Sequence, residues 1–200
     1  LHVAHLSCAA SVAMIREAKR RGLRVSAEAA PHHFTLTDEA VEGWNTHAKM
    51  NPPLRHPEDV AAVREGLADG TIDAIATDHA PHGVMDKQVP YAEAANGVIG
   101  LETALPLTLE LVRTGVLTPV RAVELLTSGP AEIFHLPGGN LGPGAPADVT
   151  LVDPGAGWTV EAARFQSKSR NTPYEGRQVT GRVVRTVVGG RTVWPLEERR

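Results

Sequence analysis

The sequence predicts an α/β fold in which parallel β-strands alternate with α-helices. Three short strand-like runs, at residues 1–5, 23–29 and 72–76, alternate with helix-like patterns at residues 7–22 and 57–70. The third run is apolar on consecutive positions, which is typical of a parallel strand covered on both faces. Each run also ends near histidine or aspartate side chains. These three observations together indicate a parallel sheet with a polar edge.

The order strand, helix, strand, helix, strand determines where the polar side chains lie. Right-handed crossovers place the ends of successive parallel strands at the same edge of a sheet. Proteins of the α/β class keep their ligand-binding and catalytic groups at that edge. Three such units resemble the last part of a (β/α)8 barrel of the TIM type, and an open doubly wound sheet fits the pattern almost as well.

The two helices between the strands have recognisable ends and one apolar face each. The first is ended by Gly22. The second begins at Pro57, followed by acidic residues that suit the first turn of a helix, and it ends at residues 69–70. The inward faces consist of Val12, Ile15 and Ala18 in the first helix and of Val60, Val63 and Leu67 in the second.

A third helix is expected beyond residue 100. Leu101, Leu105 and Leu109 recur at helical spacing, and Val112 extends the same face. Pro106 lies inside this pattern, so we expect a kink there.

The remaining sequence predicts one more helix and then a small β region. Thr118 is a suitable cap for a helix that runs through Leu126. After residues 137–139 the composition changes, and residues 149–152 and 181–194 become valine-rich and bounded by turns. We therefore expect two domains: residues 1–136 as part of a (β/α) barrel, and residues 137–200 as a small β-sandwich-like appendage.

The composition limits the classes of function. A net charge of −3 and a pI near 6.3 provide no basic surface, which disfavours nucleic-acid binding. No apolar run is long enough to cross a bilayer. The single cysteine, Cys8, excludes an internal disulfide framework, and with no signal peptide evident the expected location is the cytoplasm.

The distribution of histidine is uneven. Eight of the nine histidines lie within the first 82 residues, so the chemistry is expected there. The chain also opens at Leu1 without methionine, in a segment that resembles a strand. We expect it to be the C-terminal part of a longer protein.

Residues 73–82 form the most informative stretch. The short apolar run ends at Asp78, and a carboxylate at the mouth of a buried strand is costly to desolvate unless it binds a metal or moves a proton. His5 also directly follows a strand, and imidazole and carboxylate are good ligands for Zn²⁺. The pair predicts either part of a metal site or, alternatively, a hydrogen-bonded core histidine and a helix-capping aspartate.

Other polar side chains near these strand ends have two interpretations each. His82, four residues after Asp78, either faces the same cavity and an anionic substrate group or lies at the surface. Asn51 offers a pre-set amide before two prolines, or is an ordinary turn residue. The dipeptide at residues 96–97 (Asn96 and Gly97) is either a turn or a place where backbone groups approach a ligand.

Two adjacent histidines, His32 and His33, follow the second strand. Their position is compatible with metal binding, although a loop or supporting role is the more common one. Their role stays open at this point.

Several longer segments fall together in a specific order. The most distinctive read Asn-Pro-Pro-Leu-Arg at residues 51–55, Thr-Asp-His-Ala-Pro-His at 77–82 and Asn-Thr-Pro at 171–173. In order and approximate spacing the chain resembles class I dihydroorotases, over nearly all of its 200 residues. The segments that support this resemblance lie at residues 5–7, 28–33, 49–55, 77–82, 100–106, 144–148 and 167–173.

The resemblance implies an amidohydrolase-type barrel with a small β domain built from both chain ends. It implies that His5 binds one of two zinc ions, and that Asp78 binds the other and acts as the acid and base. It further implies that Asn51, His82 and the backbone at residues 96–97 hold the substrate. The family usually has an aromatic residue at position 96, so Asn96 is expected to contribute its backbone only.

The resemblance also implies what lies outside this chain. The His-x-His motif, the bridging carboxylate or carbamylated lysine, and another metal histidine are all expected upstream of Leu1. The chain alone is therefore expected to be inactive.

The implied reaction is the reversible hydrolysis of dihydroorotate to N-carbamoyl-L-aspartate in pyrimidine synthesis. Hydantoinase or allantoinase activity is a near alternative, against which Asn51 and His82 argue. A non-catalytic dihydroorotase-like partner of aspartate carbamoyltransferase is a further alternative, although such proteins generally lose metal ligands. A homo-oligomer is also compatible with the sequence.

Overall fold

A three-stranded parallel sheet organises the first part of the chain. The computed structural model describes residues 1–195. Strands β1 (His2–Val3), β2 (Ser26–Ala29) and β3 (Ala74–Ile75) lie in the order β1-β2-β3 and are parallel throughout. The prediction of three parallel strands is confirmed, although each regular strand is shorter than its apolar run.

Helical connections join these strands. Helix α1 (Ala9–Arg20) connects β1 to β2, while α2 (Pro31–Thr35) and α3 (Pro57–Asp69) lie between β2 and β3. Two 3₁₀ segments, Asp38–Trp44 and Thr46–Ala48, lie in the second connection.

The ends of α3 follow directly from the sequence. Pro57 occupies the first turn, where its missing N–H needs no helical partner, and Glu58 and Asp59 suit the positive end of the helix. Gly70 ends the helix with φ of 85°, a left-handed conformation that glycine adopts without steric cost.

The core lies between the sheet and helices α1 and α3. Val12 and Ile15 of α1 and Val63 and Leu67 of α3 are buried, as predicted. Ile72, just before β3, is fully buried beside them. Complete burial of each such side chain contributes about 1.5–3 kcal/mol to folding, so these contacts fix the sheet edge from which the candidate site projects.

The helix predicted from Leu101 begins later than expected. Helix α5 spans Ala104–Arg113, after the short α4 (Val84–Lys87), and Leu101 is 61% exposed. The prediction that Leu101 belongs to this helix was therefore wrong, and the buried leucines of α5 are Leu107 and Leu111 rather than Leu105 and Leu109. Close backbone packing explains the difference: a Cβ added at Gly100 would lie 2.6 Å from the Thr77 carbonyl oxygen, so residues 101–103 form a turn.

No kink is needed at Pro106, which falls in the first turn of α5. Helix α6 (Pro119–Leu126) begins as predicted, because the Thr118 side chain accepts a hydrogen bond from Arg121 N. Helix α7 (Ser128–Ile133) was not predicted.

An antiparallel sheet forms the last part of the described chain. It consists of β4 (Val149–Thr159), β5 (Gln178–Val188) and β6 (Arg191–Trp194), in that order. A short 3₁₀ segment, Ala162–Arg164, lies between β4 and β5.

This sheet packs closely on α5. A Cβ added at Gly181 of β5 would lie 2.4 Å from Leu109 Cδ1 of α5, so glycine permits the contact. Buried residues on both sides of residue 137, among them Leu107 and Val179, belong to one hydrophobic cluster. The domain boundary at residue 137 remains a prediction. None of the helices among residues 1–195 is long and apolar enough to cross a bilayer.

Candidate active site

Three side chains converge at one edge of the parallel sheet. His5 follows β1, His32 lies in α2 directly after β2, and Asp78 follows β3. His5 Nε2 lies 3.9 Å from Asp78 Oδ1, and His32 Nε2 lies 3.8 Å from Asp78 Oδ2. Because β2 lies between β1 and β3, His5 and Asp78 meet across the end of the middle strand.

The backbone at His5 and Asp78 is unusual. Their φ angles are 56° and 47°, in the left-handed region that costs a residue other than glycine about 1–2 kcal/mol. Such conformations persist only where the surrounding structure enforces them, and they cluster at functional sites. Here both residues immediately follow short strands whose paths are fixed by the sheet.

His32 is the buried member of the group. Its side chain is 2% exposed, and its Nε2 has no hydrogen-bond partner among the described residues. Burial, followed by the charges of His33 and His5, lowers the pKa of His32 well below its usual value. The ring is therefore neutral near pH 7, the form in which imidazole binds metals.

The family resemblance implied another metal histidine upstream of Leu1, and the role of His32 was open. The structure brings His32 to the same carboxylate as His5. The available signal was its position directly after the middle strand, which is equivalent to the positions of His5 and Asp78.

Glu28, which was not among the predicted site residues, lies beside two histidines at this edge of the sheet. Its Oε1 lies 3.1 Å from His5 Nδ1, and its Oε2 lies 3.1 Å from His2 Nε2. A carboxylate on the remote nitrogen of a metal-binding histidine commonly fixes the orientation of the ring. The exposed fraction is only 10% for the Glu28 side chain and 33% for the His5 side chain, so the carboxylate is shielded from solvent while the imidazole is partly exposed.

The donors fit a divalent cation such as Zn²⁺. The unpartnered Nε2 of His32 is buried at 3.8 Å from Asp78 Oδ2, and two imidazoles with one carboxylate form a typical zinc donor set. Among residues 1–195 no group of three or more His, Cys, Asp or Glu side chains meets the geometry of a preformed metal site. The chain thus provides part of a donor set.

His33 supports the loop that carries Asn51. Its Nε2 donates to the Pro52 carbonyl at 2.9 Å, since a carbonyl oxygen can only accept. Burial is the main cause that lowers the pKa of His33, so the ring is neutral and Nδ1 carries the lone pair. On the N-terminal side of Asn51, the Lys49 carbonyl accepts a hydrogen bond from Gly97 N at 2.9 Å. Asn51 is exposed between these two attachments.

His82 contacts the segment at residues 96–97. Its Nε2 donates to the Asn96 carbonyl at 2.8 Å. A Cβ added at Gly97, where φ is 123°, would lie 2.5 Å from Ala80 Cβ and 3.2 Å from His82 Nε2. The structure therefore brings His82, Asn96 and Gly97 together. It records no hydrogen bond between Asn51 and His82 within the described part of the chain.

The sequence of this chain matches a known family over nearly its whole length. The chain belongs to the amidohydrolase family, whose model matches residues 2–193. Among curated relatives it is 59% identical over 195 residues to a protein from Anaeromyxobacter dehalogenans named dihydroorotase, covering 96% of this chain and 45% of that protein. A protein of the same name from Syntrophotalea carbinolica is 56% identical over 198 residues, covering 99% of this chain and 47% of the relative.

Solved structures agree with this assignment. The L-hydantoinase (dihydropyrimidinase) of Arthrobacter aurescens aligns with a TM-score of 0.91 at 34% identity, covering 96% of this chain and 44% of that one. The dihydropyrimidinase of Brevibacillus agri aligns with a TM-score of 0.90 at 26% identity, with the same coverage. The chain thus spans somewhat less than half the length of the relatives that it matches.

Proposed function

We propose that the complete protein to which this chain belongs is a zinc-dependent cyclic amidohydrolase that interconverts dihydroorotate and N-carbamoyl-L-aspartate in pyrimidine synthesis. The chain would form the C-terminal part of a (β/α)8 barrel. The observation that supports this most directly is the convergence of His5, His32 and Asp78 at one sheet edge. Relatives named dihydroorotase at 54–60% identity support the choice of substrate.

In the proposed mechanism, His5, His32 and Asp78 hold the metal together with ligands from elsewhere in the complete protein. A bound divalent cation would polarise the ring carbonyl and lower the pKa of a bound water molecule. Asp78 accepts the proton that the attacking water gives up, and later delivers it to the ring nitrogen when the amide bond breaks. The proton taken from water thus ends on the nitrogen of the new carbamoyl NH2 group, and Asp78 is regenerated.

Substrate recognition is assigned to the loops beside the metal edge. His82 donates its Nε2–H to the Asn96 carbonyl, so it can bind a substrate carboxylate through Nδ1 only when the ring carries its second proton. Asn51 offers a donor and an acceptor on a loop fixed by His33 and Gly97. The carbonyl oxygens of Asn96 and Gly97 each retain a second lone pair for a ring N–H.

A substrate comparison tests this proposal. The complete gene product, including everything that precedes Leu1, is reconstituted with Zn²⁺ and assayed with dihydroorotate, hydantoin, dihydrouracil and allantoin. We expect kcat/KM for dihydroorotate to exceed each of the others by about 10²-fold or more, since a site built to bind a carboxylate discriminates strongly against analogues that lack it. A preference for hydantoin or dihydrouracil would overturn the substrate assignment.

A hydantoinase-type activity is the second candidate, and the TM-score of 0.91 with the L-hydantoinase favours it. A non-catalytic partner of aspartate carbamoyltransferase is less compatible with the chain, because His5, His32 and Asp78 are all present. Measured turnover of any cyclic amide by the complete protein would exclude the non-catalytic alternative. Sedimentation with and without aspartate carbamoyltransferase would test both that association and a homo-oligomer.

A further inference from the structure

Asn171 makes an unusual set of contacts for a residue outside the parallel sheet. It belongs to the Asn-Thr-Pro segment between β4 and β5, and it is 2% exposed. Its Oδ1 accepts from His82 N at 3.2 Å. Its Nδ2 donates to the Ala80 carbonyl at 2.9 Å and to the Gly97 carbonyl at 3.1 Å. Its own carbonyl accepts from Ile99 N at 3.0 Å.

These contacts add to the backbone contacts between two loops, in which Ala80 N donates to the Val98 carbonyl at 2.9 Å and His79 forms a parallel bridge with Val98. Residues 78–82 carry His82 and residues 96–97 form the facing loop, and the amide of Asn171 bonds to both. The bond from His82 Nε2 to the Asn96 carbonyl spans the same gap. Asn171 therefore links the His82 backbone N–H to the Gly97 carbonyl through one side-chain amide.

The chemistry of the position requires an amide. One side-chain atom must accept from an N–H, and the other must donate to two carbonyl oxygens, which asparagine does with Oδ1 and Nδ2. An aspartate retains the acceptor, loses both donors and places negative charge beside two carbonyl oxygens. At a buried site each unsatisfied polar group costs about 1–3 kcal/mol.

We infer that Asn171 is a positioning residue for substrate binding, one that sets the geometry of the His82 and Gly97 backbones without touching the metal-binding edge. This inference rests on the proposed function, in which both loops contact the substrate. Asn171 is bonded to neither His5, His32 nor Asp78. Its loss should therefore weaken substrate binding and leave the chemical step largely intact.

Steady-state kinetics on the complete protein test the inference. Asn171→Asp is expected to raise KM for the preferred cyclic amide about tenfold or more while kcat stays within about threefold. Thr172→Val is the matched control, because Thr172 is also buried in the same segment and its hydroxyl bonds to Tyr174 N rather than to the substrate loops. It should change KM by less than about twofold.

Asn171→Ser is a milder variant that keeps one donor and one acceptor. Its KM should lie between those of wild type and Asn171→Asp. It replaces Asn171→Asp in this test if the aspartate variant fails to fold. An unchanged KM in a folded Asn171 variant, or equal changes of KM in Thr172→Val, would overturn the inference.

A second measurement separates this inference from the proposed function. Oδ1 of Asn171 is the acceptor for His82 N–H, so the His82 amide hydrogen should exchange with solvent faster in Asn171→Ala than in Thr172→Val, whatever the substrate. Faster exchange without turnover of any cyclic amide would reject the proposed function and keep the positioning of the two loops. Exchange that matches the control would reject the positioning role itself.

Discussion

His5 Nε2 and Asp78 Oδ1 lie 3.9 Å apart across the end of β2, and both residues have a positive φ. The strands that precede them, β1 and β3, are not neighbours in the sheet. The contact therefore requires both segments to turn inwards over the end of β2. The left-handed backbone at each residue provides that turn. The position beneath them is taken by His32, whose unpartnered Nε2 faces the same carboxylate. The left-handed backbone at His5 and Asp78 thus belongs to the same structure that brings both histidines to the Asp78 carboxylate.

Replacing Asp78 tests its assignment as acid and base. Asp78→Asn in the complete protein should lower kcat by about 10²–10⁴-fold, the range that a positioned proton-transfer group contributes. Substrate affinity should be retained, because Asn51 and His82 hold the substrate in the proposed site. Stopped assays over long times, with binding of a non-hydrolysable analogue measured separately, would show the separation of the two effects.

The control for that experiment is Asp69→Asn. Asp69 pairs with Arg16 Nη2 at 2.7 Å near the C-terminal end of α3, away from the strand ends that carry His5 and Asp78. The Asp69→Asn variant should be as active as wild type. Turnover by Asp78→Asn within about tenfold of wild type would contradict the assigned role.

Gly97 permits the close approach of two loops, and alanine should disturb it. Gly97→Ala places a Cβ 2.5 Å from Ala80 Cβ and 3.2 Å from His82 Nε2. We expect KM to rise by about tenfold as His82 is displaced. Gly115→Ala is the matched control: φ is 77° there, so alanine is also strained, by about 1–3 kcal/mol, but no atom lies within 4 Å. If both variants raise KM equally, crowding at His82 is not the cause.

The sequence predicted the parallel strands, both crossover helices and the candidate pair His5 and Asp78, because these depend on local apolar patterns and on the position of polar residues at strand ends. The position of the two adjacent histidines after the middle strand was a signal for the site, but the sequence could not separate His32 from His33, because the two are equivalent until α2 orients them. The side-chain contacts of Asn171 were missed for another reason, although its segment was recognised as distinctive. Its partners lie 74–91 residues earlier in the chain, and no periodic pattern reports such contacts.

The error at Leu101 has the same origin. Helical spacing of leucines is a local signal, whereas the close approach of Gly100 to the Thr77 carbonyl is a tertiary contact that delays the start of α5.

Lys87 makes stability depend on pH in an alkaline range. Its ammonium donates to the carbonyl oxygens of Thr46 at 3.0 Å and Ala95 at 2.7 Å. Burial, followed by the charge of Lys49, lowers the pKa of Lys87 to about 8. Between about pH 8 and the ordinary lysine pKa near 10.4 the unfolded chain therefore binds more protons than the folded one.

The free energy of unfolding should consequently rise with pH across that range because of Lys87, by at most about 1.4 kcal/mol per pH unit. Denaturant unfolding of wild type and Lys87→Met at pH 7.5, 8.5 and 9.5 would measure it. The stability of wild type relative to the variant should increase with pH, since only wild type has the titrating amine. A constant or decreasing difference would mean that the Lys87 amine keeps its proton throughout.

Metal content distinguishes His32 from its neighbour. His32→Gln and His33→Gln make the same change at adjacent side chains that are each 2% exposed. Only His32 has its Nε2 directed at Asp78, at 3.8 Å, whereas His33 Nε2 is used by the Pro52 carbonyl, to which a glutamine amide can also donate. After dialysis against a weak chelator, atomic absorption on the complete protein should show metal loss for His32→Gln and retention for His33→Gln. Loss of a residue that only orients a metal ligand commonly lowers metal affinity about 10–100-fold. Loss of a ligand itself should lower it by at least as much. Equal metal content in the two variants would remove His32 from the proposed donor set and leave His5 and Asp78 as the only ligands that this chain supplies.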